Sequence, residues 1–429
     1  MRPRLPSRPA LTALLAAATV IALSAGHGTA LARPPAEPTP PAEPVPAADA
    51  PPPPPAVIDG GVWRSGHLQG TALDRTRGVM YFSFTNLLVM TDLSGRPLGS
   101  VTNIPGHLGD LDVDPVDGRL YGSLEYKAAD AFYIAVFDPD RITRAGLDAL
   151  TSGAMTTVHL GQIAEDYTAD MNGDGVFDGD TGDTPDHRYG TSGIDGLSFG
   201  PVLGGGGGNR LTVTYGVYGN TARQDNDHQV LLQYDIRDWG RYERPLSTAD
   251  PHRSGPAAYD GRYFVHTGNT AFGVQNLAWD PATGDWLMAV YRGKKPDFPN
   301  YTFYVIDGSA PVRVAPVRGQ PVPQLGRHLT LRRGALVDPV TGISGYLAGG
   351  QYGLVPIGDG THYVAETGTV TSDGVTLQKG RVVLRRWTGG VNPFGPVTPA
   401  ATAGPGIRKA PRAVHGPRAQ PVPRGGARR

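Results

Sequence analysis

Between Ala56 and about Pro399 the apolar residues fall in short runs, most of them broken by Gly or by an Asp-Pro pair, and Gly and Tyr are frequent throughout. No stretch there keeps helical spacing for long, so the pattern predicts short strands and tight turns. One phrase recurs: a polar residue, a short apolar strand, an Asp-Pro or Gly turn, then a second strand rich in aromatics. It reads GTALDRTRGVMYFSF from Gly70, GDLDVDPVDGRLYGSLE from Gly109, and GIDGLSFGP from Gly193 followed by RLTVTYGVYG from Arg210. The fourth copy is VQNLAWDPATGDWLMAVY from Val274 and the fifth YGLVPIGDGTHYVAE from Tyr352. Third strands ending in Asp follow several copies, as LLVMTDL, FYIAVFD, QVLLQYD and TFYVID.

A strand–turn–strand–loop–strand unit repeated at roughly 40–50 residues is the pattern of propeller blades, whose faces only a neighbouring blade can bury. The expected fold is therefore all-β, a β-propeller of five blades spanning 56–399. Insertions are expected around Gly161–Gly190 and Gln320–Gly350. The strand pair around Ala257–Thr267 belongs to none of the five phrases and leaves six or seven blades open. Val57–Arg64 is expected to supply the outer strand of the last blade and fasten the ring. In this phrasing the core resembles secreted bacterial β-propellers of lactonase-like and glycan-active kinds, a resemblance of architecture that implies no particular reaction.

The ends read differently. Arg2, Arg4 and Arg8 precede the apolar run Leu11–Leu23, and Ala30-Leu31-Ala32 is a small-x-small cleavage site, so residues 1–32 read as a secretory signal and the protein as extracellular. Residues 33–55 are a Pro/Ala linker, and 400–429 a Pro/Gly-rich basic tail without an acidic residue, both expected to be disordered. There is no cysteine to cross-link an exported chain. The formal charge of zero divides unevenly: 28 basic and 36 acidic residues remain between 56 and 400. A core near −8 argues against nucleic acid as a partner. An extracellular polysaccharide or cell-wall polymer, a monomeric protein and no membrane span are expected.

The segment Asp170–Asp183, DMNGDGVFDGDTGD, alternates short acidic and amide side chains around glycines. Asp170, Asn172, Asp174 and Asp178 stand at positions 1, 3, 5 and 9 of a calcium loop, with Gly175 at the turn and the Val176 carbonyl as a further oxygen. Over these residues the chain resembles EF-hand and dockerin loops, which implies Ca²⁺. It departs from them at position 12, where Thr181 replaces the usual Glu and Asp180 or Asp183 would have to close the shell.

In a propeller the inner strands line the axis, and the loops before them build one mouth. Candidate residues at the inner-strand starts are His67, Gln69, His107, Asp110, Asp195, Gln275, Asn276 and Gln351. Second-strand ends add Glu125, Tyr126, Lys127, Tyr218, Tyr291, Arg292 and Glu366. As catalytic groups, His107, Glu125, Asp110, Asp195, Glu366 and His67 are the acids and bases available. Gln69, Asn276, Tyr126, Tyr218, Arg292 and Gln351 are the candidate substrate contacts. Two carboxylates across a sugar suit hydrolysis, whereas His, Tyr and Arg together suit proton abstraction beside a uronate carboxylate. The two functional classes left open are a glycan-active hydrolase or lyase and a non-catalytic polymer- or protein-binding propeller. GGGGG from Gly204 reads as a hairpin loop, and the Asp225–His228 cluster as a turn before the following strand.

Overall fold

The computed structural model describes residues 53–397. The segment read as a secretory signal, nearly all of the linker and the basic tail lie outside them. Five sheets surround one axis, antiparallel except where Leu147–Asp148 and Leu325–His328 join an edge in parallel, and each begins with an inner strand: Gly70–Asp74, His107–Val113, Thr191–Gly200, Thr270–Asp280 and Leu354–Gly358. Neighbouring inner strands pack in ring order and the fifth returns to the first. The protein is a five-bladed β-propeller.

Why the strands need one another is visible in a single one. Val79–Phe84, the second strand of blade one, is buried along its whole length. Tyr81 faces blade two, packing with Leu108, Leu120 and Tyr133, while Met80 and Phe82 face blade five, packing with Tyr363 and Val382. Alternation thus sends successive side chains into two different cores. Five such cores exist, one in each gap between adjacent blades.

The ring is tight near its axis. A Cβ on Gly70 would lie 2.6 Å from the Cα of Asp110 in the next blade. Second-strand hydroxyls latch onto the following blade: Ser83 donates to the Gly109 carbonyl at 2.6 Å, Ser123 to that of Asp195, and Thr214 to that of Val274 at 3.2 Å.

Closure uses the N-terminal strand. Val57–Trp63 pairs antiparallel with Val375–Trp387 as the outermost strand of blade five, as its sequence position led us to expect. The pair around Ala257–Thr267 forms no sixth blade. Gly261–His266 is the fourth strand of blade three, paired with His228–Tyr234. After the third strand of blade four, Phe303–Ile306, the chain leaves its own sheet. It adds Arg313–Pro316 and Leu325–His328 to the edge of blade three, then returns along Tyr346. The Gly161–Gly190 insertion, between blades two and three, begins with the helix Gly161–Tyr167, anchored by Ile163 and Tyr167. Among the described residues no helix is long and apolar enough to cross a membrane.

Candidate functional site

Midway along the axis the channel is closed by two side chains. Asp110 is 2 % exposed and accepts the backbone N–H groups of Leu111 at 2.9 Å, Leu197 at 3.0 Å and Leu277 at 2.9 Å, so one carboxylate ties blades two, three and four. Asn276 donates to the Gln69 carbonyl at 2.8 Å and reaches that of Gln351 at 3.2 Å, tying blades four, one and five. The two mouths of the propeller are therefore separate.

One mouth gathers the titratable groups. His107 opens the inner strand of blade two, and Glu125, its register partner, ends the second strand. Asp195 arrives from blade three at a bulge between Ile194 and Leu197. The His107 Nδ1 lies 3.6 Å from Glu125 Oε2 and 3.9 Å from Asp195 Oδ1. Both carboxylates are anchored at their other oxygens: Glu125 Oε1 accepts the Ile194 N–H at 2.8 Å, and Asp195 Oδ2 accepts from Gln275 Nε2 at 2.9 Å. A Cβ on Gly193 (φ +128°) would run into Glu125 Oε1, so this glycine lets the carboxylate lie against blade three. Lys127 Nζ stands 3.6 Å from Glu125 Oε2 and 3.2 Å from Asp180 Oδ1.

Burial sorts these groups into roles. Glu125 and Asp195 are 6 % and 7 % exposed, whereas the His107 side chain is 31 % exposed. The carboxylates back the imidazole and the imidazole meets solvent. Burial disfavours charge on His107, but Glu125 and Asp195 outweigh it and raise its pKa above the usual 6.5. Burial, and next the Glu125 charge, raise the Asp195 carboxyl; His107 and Gln275 oppose this. Lys127 is raised in spite of its burial, chiefly by Glu125 and then Asp180.

An open cleft of about 510 Å³ adjoins this cluster, lined by His67, Phe272, Tyr291 and Tyr352 and, from the long hairpin of blade five, by Thr367 and Gln378. His67 is lowered by burial and then by the charge of His107, and the Gln275 amide that holds Asp195 also reaches Phe272, so one side chain joins the cleft lining to the cluster. Phe272 is 54 % exposed yet holds φ at +61°, and its carbonyl accepts the second N–H of the Gln275 amide at 2.9 Å. An exposed aromatic fixed in a costly backbone conformation is a feature that binding sites retain.

The sequence-predicted residues divide accordingly. The structure brings His107, Glu125, Asp195 and His67 together at one mouth. Asp110 is removed from the acids that a ligand would meet, because it is the axial plug. Asn276 and Gln69 are likewise interior, the Gln69 amide lying 3.0 Å from His67 Nε2, and the half-buried Gln351 is taken up by the Val290 carbonyl, to which its amide donates at 3.0 Å. Glu366 is held on the blade-five hairpin by Arg381 at 2.6 Å and Arg385 at 3.0 Å, which occupy both its oxygens. Tyr126 caps the short helix Lys127–Ala129 and packs on the core between blades one and two, and Arg292 is exposed at a strand end. The Tyr218 hydroxyl donates to Asp180. Phe272, Tyr352 and Asp180 were not read as parts of the mouth: Phe272 sits at a bulge of the strand Thr270–Asp280, and Tyr352 and Asp180 lie in a turn and an insertion, courses that the strand pattern does not specify. The Asp225–His228 cluster is taken up locally, Asp225 by Arg223 at 2.8 Å and Asp227 by Lys295.

The opposite mouth, a cavity of about 540 Å³ lined by Leu73, Leu111, Asp112, Phe199 and Trp279 among others, offers one carboxylate and no histidine. Asp112 accepts the N–H groups of Val113 and Phe199 at 2.8 Å each and the Ser198 hydroxyl at 3.1 Å.

In the calcium-like loop, Asp170 folds the chain around itself, accepting the N–H groups of Gly173 at 2.6 Å, Asp174 at 3.2 Å and Gly175 at 2.7 Å. The fully buried Asp186 clasps both ends, accepting from the N–H of Met171 at 3.2 Å and of Asp178 at 2.9 Å. Asn172 bonds Asp174 at 2.8 Å, and Val176 donates its N–H to Asp174 at 2.9 Å. The two expected closing acids point elsewhere, Asp180 to Lys127 and Asp183 to Asn220 at 3.2 Å. Among the described residues no three His, Asp or Glu side chains gather as a metal site.

No family model matches the chain and no curated protein matches it in sequence. Among solved structures it is similar to the Dos1 propeller (10 % identity, TM-score 0.30, covering 73 % of this chain and 77 % of that one). It is also similar to a luciferin-regenerating enzyme (13 %, TM-score 0.27, 78 % and 98 %) and to a protein of unknown function from Bacteroides caccae (11 %, TM-score 0.25, 57 % and 78 %). Likeness at this level says nothing of chemistry, which has to be read from the site.

Proposed function

We propose that this chain is a secreted, glycan-active propeller whose His107 mouth abstracts a proton beside the carboxylate of a uronate-containing polysaccharide, a lyase reaction. The observation that carries the reading is the backing of one reachable imidazole by two buried carboxylates. A glycosidase needs its two carboxyl groups apart, with the sugar between them. Here both Glu125 and Asp195 face one ring nitrogen and both are anchored to the protein, a geometry that serves His107 rather than a glycosidic bond.

With Nδ1–H turned to the carboxylates, the neutral imidazole presents its Nε2 lone pair. That atom takes the C–H proton adjacent to the substrate carboxylate, and the electron pair forms a C=C bond as the glycosidic C–O bond breaks. The leaving oxygen is protonated by Tyr291 or by water. The imidazolium that forms is stabilised by Glu125 and Asp195, and Lys127 supplies positive charge for the uronate. Phe272, Tyr291 and Tyr352 offer apolar faces for sugar rings, with Thr367 and Gln378 opposite for hydroxyls.

The purified protein, incubated with uronate-containing and neutral polysaccharides, should generate ultraviolet-absorbing unsaturated uronates and new reducing ends together. His107→Ala should abolish both while leaving the melting curve in place. Reducing ends without unsaturation would replace the lyase by a hydrolase. Retention on a polymer without any product would favour the second reading, a non-catalytic binding module, for which the exposed Phe272 is the supporting observation.

We further propose that the Asp170–Asp178 loop takes one structural Ca²⁺. Its donors, the side chains of Asp170, Asn172, Asp174 and Asp178 and the Val176 carbonyl, are oxygens throughout, as a hard divalent ion prefers; Asp183 would have to leave Asn220 to join them.

A further inference from the structure

The insertion between blades two and three sends one charged side chain toward the mouth. Asp180 Oδ1 accepts from Lys127 Nζ at 3.2 Å, and the nearly buried Tyr218 hydroxyl donates to the same oxygen. The ammonium sits 5.9 Å from the centre of the Tyr167 ring, another residue of the insertion. Its other anionic neighbour is Glu125 Oε2 at 3.6 Å, the oxygen that also lies 3.6 Å from His107 Nδ1. One carboxylate oxygen is thus shared between an imidazole and an ammonium, and the ammonium is shared between two carboxylates.

We propose that Asp180 is a positioning residue of the mouth: by engaging Lys127 it leaves Glu125 to His107, and so sets how firmly His107 holds its proton. This rests on His107 being the proton-transfer group of the proposed function. The groups facing His107 are Glu125 and Lys127 from its own blade, Asp195 from blade three and His67 from blade one. Gln275 and Tyr291 lie beside Asp195 from blade four, and Asp180 stands behind Lys127. Asp180 is itself about half exposed, so water screens its direct effect on the imidazole. Its influence passes through the partly buried Lys127, whose charge opposes protonation of His107 while Glu125 favours it.

The test needs no substrate. The His107 ring proton is followed by NMR in the full chain as pH is varied, assigned by its loss in His107→Gln. Asp180→Asn releases Lys127 toward Glu125, so His107 should titrate at a lower pH than in the native protein. Lys127→Met removes the competing cation, so His107 should titrate at a higher pH. The double variant should behave as Lys127→Met alone, because Asp180 acts only through that side chain. Tyr218→Phe, which keeps every charge, should move the titration the same way as Asp180→Asn but less. An Asp180→Asn titration that is unmoved or raised overturns the proposal, as does a double variant that differs from Lys127→Met. Shifts of the expected sign in a protein that yields no unsaturated uronate would keep the relay and discard the lyase; the reverse pattern would keep the lyase and discard the relay.

Discussion

The side-chain amide of Asn276 donates to the backbone carbonyl of Gln69 at 2.8 Å across the propeller axis, joining residues 207 positions apart in the chain. With Asp110 beside it, this bond turns a ring of five sheets into a closed hub. Asp110→Ala would leave three buried N–H groups without an acceptor, each costing about 1–3 kcal/mol, so a loss of several kcal/mol is expected. Asn276→Ala removes one amide and should cost about 1–3 kcal/mol. Urea unfolding of both variants, with Asp110→Ala the more damaged, checks the assignment of these residues to structure and not to catalysis.

Activity should follow the neutral imidazole. Because Glu125 and Asp195 raise the His107 pKa over the opposition of burial, the rate should climb with pH through a midpoint above 6.5. Glu125→Gln removes the strongest of the supporting interactions, so the midpoint should fall while the maximal rate also falls, the imidazolium having lost a partner. A pH–rate profile of kcat/KM on the substrate found in the screen reads both changes.

Acid should weaken the fold through a second histidine cluster. The His228 ring lies 5.0 Å from that of His266 and 5.5 Å from that of His328, and its Nδ1 is buried without a partner. Burial first, then the neighbouring histidines, lower His228 to about 3, and His266 falls to about 4. A histidine whose folded pKa lies below its unfolded 6.5 takes its proton more readily in the unfolded chain, so stability is full above 6.5 and declines as pH falls toward 3. His228→Leu should flatten the pH dependence of the urea midpoint across that window.

Calcium should raise the melting temperature relative to chelator, since a ligand bound only by the folded state must stabilise it. Asp170→Ala should remove the response. An identical melting curve in chelator and millimolar calcium would discard the ion.

Truncation before Arg64 should open the ring. It removes Ile58, fully buried in the core between blades five and one, and strips the Gln378–Val383 edge of Val375–Trp387 of its partner. The truncated protein is expected to unfold at markedly lower urea and to aggregate through that edge. Adding the missing strand back as a peptide should restore part of the stability.

Much of this architecture is legible in the chain because it is local or repeated. Each blade carries its own turn residues and alternating strands, so the phrase from Gly70 can be found again from Gly109 and Val274 without any tertiary knowledge. His107, Glu125 and Asp195 were legible for the same reason: a residue at a strand start or end has a fixed place in a repeat. Asp110 and Asn276 occupy the same kind of position, yet the sequence does not distinguish them from ligands. Whether a polar group at the axis meets a backbone N–H or a solute depends on how closely five inner strands approach, and no strand records that distance.

By itself, then, the sequence determined the all-β repeat, the count of its five clear phrases, and the strand Val57–Arg64 that locks the ring, because alternation and turn chemistry are properties of neighbours in the chain. Only the tertiary structure decided that Gly261–His266 is a fourth strand and not a further blade, that the axis is plugged, that Glu366 belongs to Arg381 and Arg385, and that Asp180 leaves the acidic loop for Lys127. Each of these is a choice between partners far apart in sequence. Such choices are settled by which groups burial brings together and which of them find a complementary charge or hydrogen bond there.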